Sequence, residues 1–116
     1  MSLQTESRGD AFIVRPHGLL SMDVAHEMEE LLEMAFDDGL RRVIFDFSEL
    51  TRISSDGLRV ILKSLRRLRE IGGTAALAGV GEQVRSVMAA GGFFALLAEF
   101  DTVDDALGLP SGGEGA

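Results

Sequence analysis

The sequence predicts a single α/β domain with a mixed, mainly parallel sheet of four to five strands and two long helices packed on one face. Apolar runs of strand length alternate with amphipathic helical patterns along the chain, which is typical of parallel strands joined by crossover helices. The chain has 116 residues, of which 46% are hydrophobic. This is enough for one compact domain with a buried core.

The first strand is predicted at residues 11–15, AFIVR, and an extended stretch broken by Pro16 and Gly18 follows it. Apolar residues then recur at spacings of three and four between glutamates, which predicts an amphipathic helix over residues 24–38. Gly39 comes directly afterwards, where a glycine commonly ends a helix.

The second strand and second helix form the centre of the predicted fold. The run from Val43 to Phe47 is apolar except for Asp46, which suits a strand covered on both faces. The helix that follows has an apolar stripe and ends at the pair Gly72-Gly73. Its stripe consists of Leu58, Ile61, Leu62, Leu65 and Leu68. Because both long helices carry one apolar stripe, we expect them to pack together on the same face of the sheet.

The last third of the chain predicts shorter elements. TAALAG at residues 74–79 is a weak strand candidate, because alanine is a poor strand former. A short helix at residues 84–88 ends near Gly91, and a last strand lies within residues 93–100. Thr102 begins a short terminal helix in a pattern similar to a capping box.

These elements define the expected domain organisation. We predict a flexible N-terminus at residues 1–9, one domain at residues 10–108 and a disordered Gly-rich tail at residues 109–116. There is no cysteine, which excludes disulfides and thiolate metal sites. No apolar run approaches the roughly 18 residues that span a bilayer, and the first residues lack a signal-peptide pattern, so we expect a cytoplasmic protein with no membrane partner.

Charge is unevenly distributed along the sequence. The formal net charge of −8 argues against a nucleic-acid partner. Six of the 11 basic residues lie within residues 52–69, whereas residues 23–38 contain seven acids and no Lys or Arg. We therefore expect an electrically lopsided molecule. Arg59 and Lys63, one turn apart on the second helix, are candidates for partner docking, with an ordinary solvated face as the alternative.

Catalytic motifs are incomplete. A phosphate-binding loop is absent from the sequence. Ser55 and Gly57 match a nucleophile elbow, but Ile53 occupies the first glycine position, and both His17 and His26 precede the serine. Two histidines are also too few for a metal site by themselves. We expect no enzyme activity, no cofactor and no metal.

Asp46 and Asp56 could form a carboxylate pair for acid and base chemistry if they met near the second strand–helix junction. The simpler interpretation is that Asp46 forms hydrogen bonds at the strand end and that Asp56 complements the helix dipole.

The junction itself, RISSDGLR, contains more polar residues than capping requires. Ser54 is a sufficient N-cap, which stabilises a helix by about 1 kcal/mol. Ser55 is then surplus, and Gly57 costs about 1 kcal/mol relative to alanine in a helix. Tight packing at Gly57, or a partner that approaches the backbone closely, would compensate for this cost.

Residues 43–73 resemble the core of STAS domains, specifically the stand-alone anti-sigma factor antagonists of bacteria. The family pattern is a strand ending in Asp-x-Ser, an apolar residue, a Ser-containing turn and Gly-Leu at the start of a helix. The pattern is filled here by Asp46, Ser48, Leu50, Ser55, Gly57 and Leu58. The flanking segments PHGLLS, REIGG and GGFFALL agree, so the resemblance covers about residues 10–108.

The resemblance implies a phosphorylation-switched binding module without catalysis of its own. The serine that the family phosphorylates maps onto Ser55. Its partners would be an anti-sigma factor serine kinase, which it binds when unphosphorylated so that sigma factor is released for transcription, and a serine phosphatase. It would be a monomer or weak homodimer. The alternative is a STAS scaffold or small-ligand sensor in another regulatory or transport complex, never phosphorylated.

Seven residues are the implied partner contacts around this serine. They are Ser21, Asp23, Ser54, Asp56, Gly57, Arg59 and Lys63. Two of these positions depart from the family pattern. The acid that many members place before the phosphorylated serine is Ser54, with Asp56 after it instead, and the acid of the first loop is Ser21, with Asp23 two positions on. These departures concern kinase recognition rather than the fold.

Overall fold

The computed structural model describes residues 2–108, which contain seven strands, four α-helices and one 3₁₀ turn. In chain order these are β1 (Leu3–Arg8), β2 (Ala11–Pro16), β3 (Gly18–Leu20), α1 (Met22–Asp37), β4 (Arg42–Asp46), β5 (Leu50–Ile53), α2 (Ser55–Glu70), β6 (Thr74–Ala78), α3 (Glu82–Ala90), the 3₁₀ turn (Phe93–Ala95), β7 (Ala98–Phe100) and α4 (Val103–Leu107). The predicted Gly-rich tail, residues 109–116, lies outside the described residues.

Five strands form one mixed sheet in the order β1-β2-β4-β6-β7. The β1–β2 pair is antiparallel, and the β2–β4, β4–β6 and β6–β7 pairs are parallel. This confirms the predicted mixed, mainly parallel α/β fold. The strands β3 and β5 form a separate parallel pair, which leads into α1 and α2.

Successive side chains of the central strands face opposite sides of the sheet. On β4, Val43 and Phe45 belong to the main core, together with buried residues of α1 and α2, whereas Ile44 belongs to a smaller core that includes Ala106 of α4. Helices α1 and α2 therefore pack together on one face, as predicted, and α4 covers part of the other face.

Helix boundaries agree closely with the sequence, but the buried stripe of α2 is shifted. Ile61, Leu65 and Leu68 are buried as expected, whereas Leu58 and Leu62 are only partly buried. The residues that replace them on the buried face are Gly57, Val60 and Ser64. Ser64 is tolerated there because its hydroxyl donates to the backbone oxygen of Val60 at 2.9 Å.

Two strands were not predicted. Residues 1–9 were expected to be flexible, but Leu3–Arg8 pairs with Ala11–Pro16 as an edge strand. Only Leu3 of this strand is buried, so its stability comes from the backbone ladder and the sequence carries little apolar signal. The strand Leu50–Ile53 was missed for the same reason, since its two central residues are exposed. Within residues 2–108 no helix combines the length and hydropathy that crossing a bilayer requires.

Candidate functional site

The parallel pair β3–β5 places the starts of two helices side by side. Strand β3 is followed by Ser21, the N-cap of α1, and β5 is followed by Ser54, the N-cap of α2. Because the two strands are parallel, both helices begin at the same end of the pair. We call residues 21–24 and 54–57 the paired helix starts.

The Ser54 hydroxyl both donates and accepts a hydrogen bond within the protein. The oxygen accepts from the backbone N–H of Gly57 at 3.0 Å, and the hydroxyl donates to the backbone oxygen of Leu20 at 2.8 Å. The backbone N–H of Ser54 donates to the same oxygen at 3.1 Å. Ser54 therefore caps α2, as the sequence predicted, and also ties α2 to the end of β3.

Gly57 is explained by packing. A Cβ added at this position would lie 2.8 Å from the backbone oxygen of Leu20 and 2.9 Å from its Cγ, distances at which the surrounding atoms would have to move. Gly57 is buried against Leu20, so tight packing accounts for the glycine. The expected contact of Gly57 with a partner stays a prediction.

Ser55 contrasts with its neighbour. It is the first residue of α2 and is exposed, and its hydroxyl forms no hydrogen bond to any residue in the described range 2–108. Ser54 already caps the helix, so Ser55 has no capping role. Its hydroxyl lies beside the positive end of the α2 dipole, where an added anion is favourable.

Of the two charged residues in the paired helix starts, one is neutralised by an ion pair within residues 2–108 and one is not. Asp56, in the first turn of α2, forms an ion pair with Arg59 at 2.8 Å. On α1, Ser21 accepts only a long hydrogen bond of 3.4 Å from the N–H of Val24, and Asp23 is exposed in the first turn. Six of the seven expected contact residues thus lie on or next to the paired helix starts: Ser21, Asp23, Ser54, Asp56, Gly57 and Arg59.

Lys63 is less available than the sequence suggested. Its ammonium pairs with the Glu29 carboxylate of α1, which raises the pKa of Lys63, and Arg67 pairs with Glu33 in the same way. The basic residues of α2 therefore face the acidic residues of α1. This corrects the expectation of an electrically lopsided molecule, because the two charged segments are neighbours that partly compensate each other.

A shallow groove of about 180 Å³ lies between the first halves of α1 and α2. Met22, His26, Asp56 and Arg59 are among its lining residues. Met22 is 53% exposed, and Leu19 of β3 is 40% exposed nearby in the chain. Sequence reasoning missed both apolar residues as part of the site. Met22 could have been recognised from the sequence, because it follows a helix N-cap and is apolar but lies outside the apolar stripe of α1.

Asp46 and Asp56 do not form a catalytic pair. Asp46 lies between Phe45 and Phe47 of the main core, so its side chain faces the other side of the sheet, where it pairs with Arg15 at 2.6 Å. Burial opposes the charged form, but hydrogen bonds from Arg15 and Ser48 outweigh it and lower the pKa of Asp46. The simpler interpretation of both aspartates is the correct one.

The two histidines lie in different parts of the fold: His17 is between β2 and β3, and His26 is in α1. His17 shares a hydrogen bond of 2.8 Å with Gln4, and His26 is exposed in the groove. Across residues 2–108, no three side chains of the ligating types are grouped so that they could hold a metal ion.

Sequence comparisons show the family. The STAS domain profile matches residues 2–106. BtrV of Bordetella bronchiseptica, named as a candidate anti-sigma factor antagonist, is 32% identical over 96 residues, which are 83% of each chain.

Solved structures show the same fold at lower identity. A candidate anti-sigma factor antagonist of Thermotoga maritima, TM1081, superposes with a TM-score of 0.83 and 23% identity, over 90% of this chain and 91% of its own. The anti-sigma factor antagonist SpoIIAA, in its unphosphorylated form, gives 0.76 and 20% over 90% and 94%. The phosphorylated form of SpoIIAA from Bacillus gives 0.77 and 20% over 90% and 96%. From the profile match and the BtrV similarity, the chain belongs to the STAS domain family, among relatives named as anti-sigma factor antagonists.

Proposed function

We propose that this protein is a phosphorylation-switched anti-sigma factor antagonist that acts in the cytoplasm. Unphosphorylated, it binds an anti-sigma factor serine kinase and releases sigma factor for transcription. Phosphorylation of Ser55 ends that binding, and a serine phosphatase restores it. The observation that carries the proposal is the exposed hydroxyl of Ser55 at the start of α2, which forms no hydrogen bond within residues 2–108 and lies directly beside a serine whose hydroxyl both donates and accepts.

The position of Ser55 suits a modification that leaves the fold intact. A phosphate adds about −1.5 to −2 charges, and the positive end of a helix dipole tolerates such charge. The cap, the contact with Leu20 and the packing of Gly57 all involve other atoms. Phosphorylation therefore changes the surface without removing an interaction that holds α2 in place.

The surroundings of Ser55 suit a contact that a phosphate would break. Exposed Leu19 and Met22 provide apolar area close to the paired helix starts. A partner that covers this area removes water from the serine hydroxyl, and a phosphate there would become a desolvated charge that costs several kcal/mol. The structural relative SpoIIAA has been solved in a phosphorylated form, which supports the same modification in this chain.

The remaining contact residues have defined roles in this proposal. Asp56, the residue after Ser55, places negative charge beside the phosphate, which favours its removal by the phosphatase, and Asp23 is exposed at the start of the neighbouring helix α1. Arg59 lies four residues after Ser55, within reach along the helix, and is already held by Asp56. Lys63 is paired with Glu29. Its contribution to docking is therefore indirect, because the ion pair holds α2 against α1. The module itself carries out no reaction.

The test is phosphate uptake from ATP by purified protein in the presence of the anti-sigma factor kinase encoded beside it, followed by intact-mass measurement. We expect one phosphate on the wild type and none on Ser55→Ala. The matched control is Ser54→Ala, which should accept one phosphate although its helix cap is lost. Phosphate on Ser55→Ala would contradict the proposal. A wild type that is never phosphorylated would favour the scaffold or ligand-sensor alternative.

A further inference from the structure

A second, larger groove lies at the other end of α2 from Ser55. It has a volume of about 470 Å³, within the range of roughly 300 to 1,000 Å³ that is typical of small-molecule sites. Its walls are the second half of α2, the start of β6 and residues 94–98. The apolar lining includes Leu65, Ala75, Phe94, Leu96 and Leu97. Leu96 is 44% exposed, so part of this apolar surface is open to solvent.

The Phe94 side chain, which forms one wall, is held in place by Arg85, a residue that does not line the groove. The guanidinium of Arg85, on α3, lies over the Phe94 ring at 5.1 Å from its centroid. Arg85 is itself fixed by the Glu99 carboxylate at 3.0 Å. Phe93, the preceding residue, is buried in the main core. The groove is therefore formed before any ligand binds, as most small-molecule sites are.

The rim of the groove carries two arginines that form no ion pair within the part of the chain that the structure describes. Arg66 and Arg69 line it, are exposed, and form no ion pair with any residue from 2 to 108. The other cations of α2 are paired: Arg59 with Asp56, Lys63 with Glu29 and Arg67 with Glu33. In a chain with a net charge of −8, two free arginines beside an apolar groove are complementary to an anion attached to an apolar body.

We propose that this groove binds an alkyl carboxylate, with the alkyl chain along Leu65, Phe94 and Leu96 and the carboxylate at Arg66 and Arg69. An arginine guanidinium matches a carboxylate with two parallel hydrogen bonds. A helix of a partner protein fits less well, because it needs a row of anchor sites over at least two turns, whereas the apolar lining of this groove is one patch with a volume of about 470 Å³. The site is independent of Ser55 and of the proposed switch.

The probe is decanoate, titrated below its micelle concentration into the full chain and followed by backbone amide shifts in two-dimensional NMR. We expect saturable shifts at residues 65–69 and 93–97. Decyltrimethylammonium has the same chain with the opposite charge and should produce no saturable shifts there. Equal binding of both amphiphiles would overturn the proposal, as would decanoate shifts confined to other parts of the chain.

Matched variants test the two halves of the site separately. The double change Arg66→Gln with Arg69→Gln, and the single change Leu96→Asp, should each weaken decanoate binding by about tenfold or more, equivalent to about 1.4 kcal/mol. The controls are Arg52→Gln, which removes an exposed arginine elsewhere, and Met34→Asp, which adds charge at a 62% exposed methionine outside the groove. All variants must keep the wild-type circular dichroism spectrum. Unchanged affinity in both groove variants, or equal losses in the controls, would refute the site.

Discussion

Helices α1 and α2, which meet at the candidate site, begin with a similar residue pattern and differ at two of their first three positions. Each follows a short strand, has a serine N-cap and carries an aspartate as its second residue, Asp23 on α1 and Asp56 on α2. At the first helical position α1 has Met22 and α2 has Ser55. At the third, α1 has Val24 and α2 has Gly57.

These two differences separate packing from function. Val24 fills the core, whereas Gly57 lets α2 approach Leu20 more closely than any side chain would allow. Met22 contributes an exposed apolar surface, whereas Ser55 contributes a free hydroxyl. The shared cap and aspartate explain why both helices start where they do, so the functional explanation concerns the two unshared exposed residues, Ser55 and Met22.

The largest stability loss is expected away from both helix starts, at the buried ion pair on the other face of the sheet. Arg15→Met would leave Asp46 unpaired and should cost about 3 kcal/mol, the lower end of the range for a broken buried pair, because Arg15 is partly exposed. Urea unfolding at neutral pH measures the loss. A loss as small as that of the helix-cap variants would show that the pair contributes little.

The same pair predicts a pH dependence of stability. The pKa of Asp46 is lower in the folded protein than its ordinary value of 3.8, so its contribution is complete above that value. The contribution is lost as the pH falls through the folded pKa. Arg15→Met should remove the part of acid unfolding that this group causes, which comparison of urea midpoints across acidic pH measures. Parallel pH curves for variant and wild type would contradict the assignment.

At the third helical position we expect Gly57→Ala to destabilise the fold by about 1 to 3 kcal/mol, as overpacking usually does. The new Cβ would clash with the backbone oxygen of Leu20, and this outweighs the better helix propensity of alanine. Gly108→Ala is the control, because its nearest contacts would be ordinary ones at 3.5 Å. Urea unfolding of both variants tests the comparison. Equal stability of the two would show that the contact with Leu20 relaxes freely.

The caps should differ in strength. Ser54→Ala should cost about 1 to 2 kcal/mol, because it removes a cap and one of two donors to Leu20. Ser21→Ala should cost less, because its capping hydrogen bond is long at 3.4 Å. The two unfolding free energies, measured under the same conditions, decide this order. A larger loss for Ser21→Ala would reverse the assigned roles.

Much of the plan of the helix starts could be predicted from the sequence, because capping depends on local contacts. Ser54 as the cap, the two long helices and the position of Gly39, whose φ is 94°, all follow from local pattern. The role of Gly57 could not be decided from sequence, because the atom that it approaches belongs to β3, 37 residues earlier. The sequence alone is therefore compatible with both tight packing and a partner contact at Gly57.

The errors have the same origin. The sequence did not reveal that Lys63 pairs with Glu29, which is on another helix but adjacent in space; the docking role of Lys63 stays a prediction. The strand β1 was missed because five of its six residues are exposed and its hydrogen bonds are to the backbone of β2. Sequence periodicity reports which residues are buried, so it gives little signal for an edge strand or for a charge pair between two helices.

Among the interactions compared, the smallest stability effect is expected for the ion pair between Lys63 of α2 and Glu29 of α1. Lys63→Met removes the ion pair with Glu29, and because the lysine is highly exposed, the loss should be smaller than that of Ser54→Ala and should shrink further in high salt. Urea unfolding at low and high salt measures it. A salt-independent loss larger than the capping effect would show that the pair is part of the core of the α1–α2 contact.

The central claim is that Ser55, unlike Met22 at the same position of α1, is a switch rather than a structural residue. The measurement is the affinity of wild type, Ser55→Ala and Ser55→Asp for the anti-sigma factor kinase, together with their unfolding free energies. Gln83→Asp, which adds one charge at the start of α3, is the control. We predict unfolding free energies within about 0.5 kcal/mol of wild type for all variants, as is usual for exposed positions. We further predict that Ser55→Ala and Gln83→Asp bind like wild type and that Ser55→Asp binds at least about tenfold more weakly. Equal binding by Ser55→Asp and wild type, or weaker binding that is matched by loss of stability, would contradict the claim.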